Sequence, residues 1–382
     1  MKRSPFLSQT PSALSAGKSW RVWLVLPLSA GAGAILAYFG IGMVMTPKVV
    51  GAIRVMDPFV STLVLLALVP AAWCAILIHE AGHLFGGIMV GMKPAFLMVG
   101  PLKLVFSGFK ASLALNKTLS TWGGLAVCIP RDGRTKPIEM VLMIGAGPAA
   151  SLLGGLFALG MAGFLEGPYS LVVGFFAILS LAIGFATLLP IRAGGFDSDG
   201  GQLLQLATGS KDSVARLLLG VVLGQDGAGV RPREWSVCQI NEAIKEVTDP
   251  LIRVAAHSIL AAHADDAGDT SELESAYETF AKSLHEGGLV SYPTAFRSDL
   301  VLPVAIFIAE NYHDPDLAEK WILLGDKPVV APYLLPCAQA LVAKSKGKME
   351  EASSLARKAM AMISSSPING SAMMYVEKLR GF

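Results

Sequence analysis

Residues 59–83 read FVSTLVLLALVPAAWCAILIHEAGH, and this stretch decides how the rest of the chain is read. Phe59 to Ile78 carries no charge and is long enough to cross a bilayer as a helix. It runs directly into His79-Glu80-Ala81-Gly82-His83, an H-E-x-x-H pattern. On a helix, residues four apart share a face, so His79 and His83 can hold one zinc ion between them. Glu80 lies one step round, where it can take a proton from a water at that ion. Three ionisable side chains at the end of an apolar helix are costly unless they serve a function.

Composition extends the membrane reading. The chain is 53% hydrophobic and 16% charged, against about 25% charged in an ordinary soluble domain. Residues 1–207 hold 14 Lys/Arg against 7 Asp/Glu, and residues 208–382 hold 17 against 22, so the halves carry +7 and −5. The sequence predicts three parts. They are a basic cytoplasmic N-terminus over 1–21, a transmembrane domain carrying the zinc motif over 22–207, and a cytosolic α-helical domain over 208–382. The mild overall charge of +2 gives no basis for nucleic-acid binding. Cys74, Cys128, Cys238 and Cys337 are far apart and suggest neither a disulfide framework nor a second metal site.

Four spans are expected: Val22 to Pro47, Phe59 to Ile78, Met140 to Leu165 and Tyr169 to Ile191. Lys2, Arg3, Lys18 and Arg21 precede the first, which puts the N-terminus in the cytoplasm. The second span then delivers the histidines to the cytoplasmic side, and both termini are cytoplasmic. The expected location is the bacterial inner membrane, in contact with its lipid. Between the second and third spans, Leu97 to Phe106 and Leu113 to Ile129 are apolar and broken by Gly100-Pro101 and Gly123-Gly124, which reads as short strands and turns at the membrane interface. After Gly209, apolar residues recur at helical spacing in six segments between 250 and 363. Paired by short polar turns, they suggest an α-solenoid resembling tetratricopeptide repeats. The fold class is therefore mainly α, with a small β segment.

A catalytic zinc usually has three protein ligands. The acids on the histidines' side are Asp132, Glu139, Asp197 and Asp199. Glu139 heads the third span, where the helix dipole also favours an acid. Asp197 and Asp199 follow the fourth span in a glycine-rich stretch, where the backbone can bend close to a metal.

Four features occur in order: H-E-x-x-H ending a span, Gly147-Pro148 on the next, Leu188-Leu189-Pro190 closing the one after, and Asp199-Gly200-Gly201. Together they resemble the site-2 protease family of intramembrane zinc metalloproteases, over about residues 60–207. The resemblance implies that His79, His83 and Asp199 bind one zinc and that Glu80 is the general base. It also implies that the substrate is a transmembrane protein, held in extended form against the strands of 93–137. Thr187 stands where the family usually has Asn, Ser198 where leucine is usual, and the segment between Pro190 and Asp199 is longer than the common form. Two other readings compete. One is a membrane zincin with Glu139 as third ligand; the other is an inactive relative acting as a scaffold through its helical tail. On the leading reading, the tail binds a cytosolic partner or the substrate.

Overall fold

The computed structural model describes residues 4–11, 50–51, 56–107, 110–116, 122–130, 136–193, 196–268, 270–289, 292, 294–325, 328, 330–365 and 369–382. The first apolar run, Val22 to Pro47, lies outside the described residues. The described residues are mostly helical and fall into two compact units. One draws on Lys18–Cys128 and Lys136–Thr208, the other on Met1–Gly17, Ile129–Thr135 and Gly209–Phe382.

In the first unit, helix α1 spans Pro58–Met89. The Asp57 carboxylate caps it by accepting a hydrogen bond from the Phe59 amide, and Pro58 occupies the first turn, where it sacrifices no hydrogen bond. The helix does not stop at Ile78, where the uncharged run ends. Leu84, Phe85, Ile88 and Met89 continue the apolar pattern, so His79, Glu80 and His83 sit inside a 32-residue helix rather than at its end. The chain leaves it through Gly91, at φ +85°.

Strands β1 (Lys93–Val99), β2 (Leu102–Ser107), β3 (Lys110–Leu115) and β4 (Leu125–Ile129) follow. They form one sheet in the order β3-β2-β1-β4, with β1–β2 and β2–β3 antiparallel. Gly100-Pro101 and Gly123-Gly124, which interrupt the apolar sequence, both fall between strands. Helix α2 spans Pro137–Ala162 and helix α3 Gly167–Leu188. A two-residue hairpin, β5 (Arg192–Ala193) with β6 (Phe196–Asp197), leads into α4 (Asp199–Ala207).

Three helices, α1, α2 and α3, are long and apolar enough to cross a membrane. Their buried faces are made of small residues: Ala71, Ala75 and Gly82 on α1; Gly147, Ser151 and Gly155 on α2; Gly174, Ala177 and Gly184 on α3. Their large side chains face outward, with Phe59 70%, Phe157 73% and Tyr169 73% exposed. Small residues inside and large apolar ones outside is the pattern of helices that pack closely within lipid.

The second unit holds α5 (Lys211–Gly227), α6 (Val237–Glu246), α7 (Pro250–Ala267), α8 (Thr270–Ser283), α9 (Thr294–Phe307), α10 (Pro315–Ile322), α11 (Leu334–Ser345), α12 (Met349–Ser365) and α13 (Gly370–Leu379). Three of these, α5, α6 and α13, lie outside the six segments with readable periodicity. In α5, Gly220, Gly224 and Gly227 interrupt the apolar pattern, and Gly224 packs against the Pro130 carbonyl. The core is built around Trp321, Tyr277, Phe280, Leu302 and Ile306, all fully buried. Lys378 of α13 donates to Asp265 (2.8 Å) and to Glu310 (2.6 Å). Burial opposes its charge, but the two carboxylates prevail and hold the ammonium above its usual pKa range. Residues 4–11 belong to this unit as well: Leu7 is fully buried in its core.

Candidate metal centre

Three side chains from two helices converge in the first unit. His79 and His83 are four residues apart on α1, and their Nε2 atoms are 3.2 Å from each other. Asp199, the first residue of α4, puts Oδ2 3.2 Å from His79 Nε2 and Oδ1 3.4 Å from His83 Nε2. A tetrahedral ion with ligand bonds of about 2.0–2.1 Å sets its ligand atoms about 3.3–3.4 Å apart. The two imidazole nitrogens are near that edge length, each Asp199 oxygen is close to a different imidazole, and with one ligand atom from each residue all three lie within 4.8 Å of one another; two imidazoles and one carboxylate are a donor set that suits a divalent metal.

Contacts behind the ligands fix their orientation. His83 Nδ1 lies 3.1 Å from the Met143 carbonyl, which can only accept, so the proton belongs on Nδ1. The Nε2 lone pair then faces the centre. His79 Nδ1 lies 3.0 Å from Ser151 Oγ. With Nδ1 protonated, a neutral His83 would turn its lone pair toward the Asp199 carboxylate. Either a second proton on the ring or a cation at the centre relieves that conflict. Burial works against ionisation of Asp199, but the His79 and His83 rings beside it prevail and hold its carboxyl well below the usual range.

Close approach of the backbone makes room for these groups. A Cβ on Gly147 of α2 would collide with the His83 ring, so only glycine lets α2 pass at this distance. Gly147 stands next to Pro148, which lacks an amide proton, within the helix. On the other side, Gly124 has φ +105°, and a Cβ there would meet the Glu80 carboxylate. The chain therefore turns tightly into β4, whose Ala126 amide hydrogen-bonds to Glu80.

Asp199 is held by its neighbour. Ser198 caps α4: its Oγ accepts from the Gly201 amide (3.2 Å) and from the Ile191 amide (3.1 Å), and donates to the Leu189 carbonyl. The serine at this position thus ties the end of the third apolar helix to the start of α4. Asp197 is not part of the group with the histidines; its Oδ2 accepts from Gln205 Nε2 at 3.2 Å. Glu139 is not brought to them either: its carboxylate accepts from the Lys136 amide (2.9 Å) in a capping box at the start of α2. Among the described residues, His79, His83 and Asp199 are the one group of three or more His, Cys, Asp or Glu side chains placed to hold a metal. The Thr187 hydroxyl lies 3.5 Å from the Gly184 carbonyl, on its own helix.

Ser151, Met143 and Gly124 carry no local signal that would single them out. Their role depends on helices and strands meeting from 44 to 72 positions away in sequence. Replacing Ser151 by Ala leaves His79 Nδ1 without its partner, and the expected result is a metal affinity about 10- to 100-fold weaker. Chelator competition on the purified protein checks this. Gly147→Ala pushes a methyl group into His83 and should abolish binding under the same conditions. Unchanged affinity in both variants would contradict the described support.

Comparison with protein-family models, curated proteins and solved structures finds no match to this chain, so the reading of the site rests on its residues and their geometry.

Proposed function

We propose that the chain is an intramembrane zinc endopeptidase, resembling the site-2 proteases, that hydrolyses peptide bonds in or near transmembrane segments of other proteins. One observation carries the reading: His79, His83 and Asp199 converge beside Glu80, the histidines and Glu80 on a helix apolar enough to cross a bilayer and Asp199 just beyond the last such helix. A zinc ion in this set would supply Lewis-acid polarisation and acidify a coordinated water toward a pKa of about 7.

The chain's own residues do the remainder. Glu80 accepts a proton as water oxygen bonds to the peptide carbonyl carbon. It returns the proton to the nitrogen as the C–N bond breaks. The Ala126 amide and the Gly124 turn hold that carboxylate in one orientation. A substrate helix must unwind first, because its backbone groups are satisfied internally. β4 stands at the end of the sheet order, and its Ala126 bonds to Glu80, so an unwound segment added along that edge would pass the site.

Glu80→Gln should retain the metal and lose cleavage of a reconstituted transmembrane substrate by several orders of magnitude, because the amide cannot accept the proton. Asp199→Ala should lose the metal and Glu139→Ala keep it. The reverse pattern for those two would favour Glu139 as third ligand and overturn this assignment.

The second unit is read as a solenoid of helix hairpins resembling tetratricopeptide repeats, a fold that presents a surface to partners. The topology is read as four spans with both termini cytoplasmic, in a bacterial inner membrane. Residues 4–11, Ile129–Pro130 and the helical domain pack within one unit, so they lie on one side. In this reading the first span is the uncharged run Val22 to Pro47, which lies outside the described residues. Tags at the two termini should be equally accessible to protease in inverted vesicles and equally protected in intact cells. Opposite accessibility would rule out the four-span reading.

A further inference from the structure

The N-terminal segment Ser4-Pro5-Phe6-Leu7-Ser8-Gln9 lies in the second unit and far in sequence from everything it touches. It is folded into a turn, with the Ser8 amide donating to the Ser4 carbonyl at 3.0 Å and the Phe6 amide to Ser4 Oγ at 3.3 Å. Its partners come from three places. Trp321 of α10 donates its indole N–H to the Leu7 carbonyl (3.4 Å). His285, in a π-helical turn after α8, lies with Nε2 2.9 Å from the Phe6 carbonyl and 3.0 Å from the Gln9 carbonyl, and so donates to both. Ser4 Oγ donates to Glu278 of α8 at 2.9 Å. The Phe6 ring stands edge-on to His285, and the Lys282 ammonium approaches the same ring. Leu7 is fully buried, inserted among the core residues of the helical domain.

These contacts have the form of peptide recognition. Side-chain donors hold main-chain carbonyls, which gives affinity, and one apolar side chain fills a pocket, which gives specificity. The sequence separations, 274 to 314 residues, mean that the segment reaches its groove as a ligand would, but tethered. A tether raises the local concentration to the order of millimolar, so an intrinsic Kd of about 10 µM would keep the groove filled about 99% of the time.

We propose that the groove between α8 and α10, lined by Glu278, Lys282, His285 and Trp321, is a peptide-docking site that the chain's own N-terminal Ser-Pro-Phe-Leu turn occupies in cis. A partner presenting the same turn, with an aromatic residue followed by leucine, competes for it and frees the N-terminus. The helical domain is in this way held to the chain just before its first apolar run, and the hold is reversible. The proposal is independent of the proteolytic reading.

A fluorescent peptide of residues 2–11 tests it by anisotropy in detergent micelles. Three full-length backgrounds are compared: the parent chain, a variant lacking residues 1–11, and Leu7→Asp, which opens the groove without shortening the chain. The peptide should bind both variants at least 10-fold tighter than the parent. The same peptide carrying aspartate in place of leucine should lose at least 10-fold in affinity for them. Absence of binding to variants whose far-ultraviolet circular dichroism matches the parent would overturn the proposal. So would equal binding to parent and variants, or equal binding of the two peptides. If both variants fail to fold, the segment is an integral part of the core and not an exchangeable ligand, which also overturns it.

Discussion

The constraint on which the first unit depends is the cost of two imidazoles and a carboxylate held within 3.4 Å of one another among apolar helices. Polar groups in such surroundings must be satisfied by partners, because no bulk water does it. A divalent cation would satisfy all three at once, while Ser151 and the Met143 carbonyl take up the outward-facing nitrogens. The small-residue faces of α1, α2 and α3 follow from the same constraint: the rings can meet their supports only if the backbones come close. Gly147 shows how little tolerance there is, since a single methyl group would occupy the place of the His83 ring.

The carboxylates are sorted by local capping rather than by distance along the chain. Glu139 is consumed by the start of α2 and Asp197 by Gln205. Asp199 is left facing the histidines because Ser198 takes the capping position before it, and in doing so fastens α4 to Leu189 and Ile191. Ser198 therefore has a structural use here.

Much of the site was legible in the sequence because its signals are local. The H-E-x-x-H spacing, the Gly147-Pro148 pair and Asp199-Gly200 each state a helix face or a turn within a few residues. The apolar runs announced α1, α2 and α3 for the same reason, although the extension of α1 to Met89 was hidden by the polar residues in its middle. Long-range contacts leave no such trace. Nothing near Ser151 marks it as the support of His79, nothing near Gly124 marks it as the wall beside Glu80, and glycines concealed α5. The N-terminal segment is the clearest case. Lys2, Arg3, Lys18 and Arg21 mark residues 1–21 as basic, but nothing near Leu7 marks it as a core residue whose carbonyl accepts from Trp321, 314 positions away.

The central claim, that these three side chains form one metal centre, is tested most directly by X-ray absorption at the zinc edge on the purified, zinc-loaded protein. The account predicts a four-coordinate shell of nitrogen and oxygen at about 2.0–2.1 Å, with imidazole scattering from two histidines and no sulfur. Asp199→Ala should change that shell. A sulfur neighbour at about 2.3 Å, or a spectrum unchanged by the loss of Asp199, would contradict it.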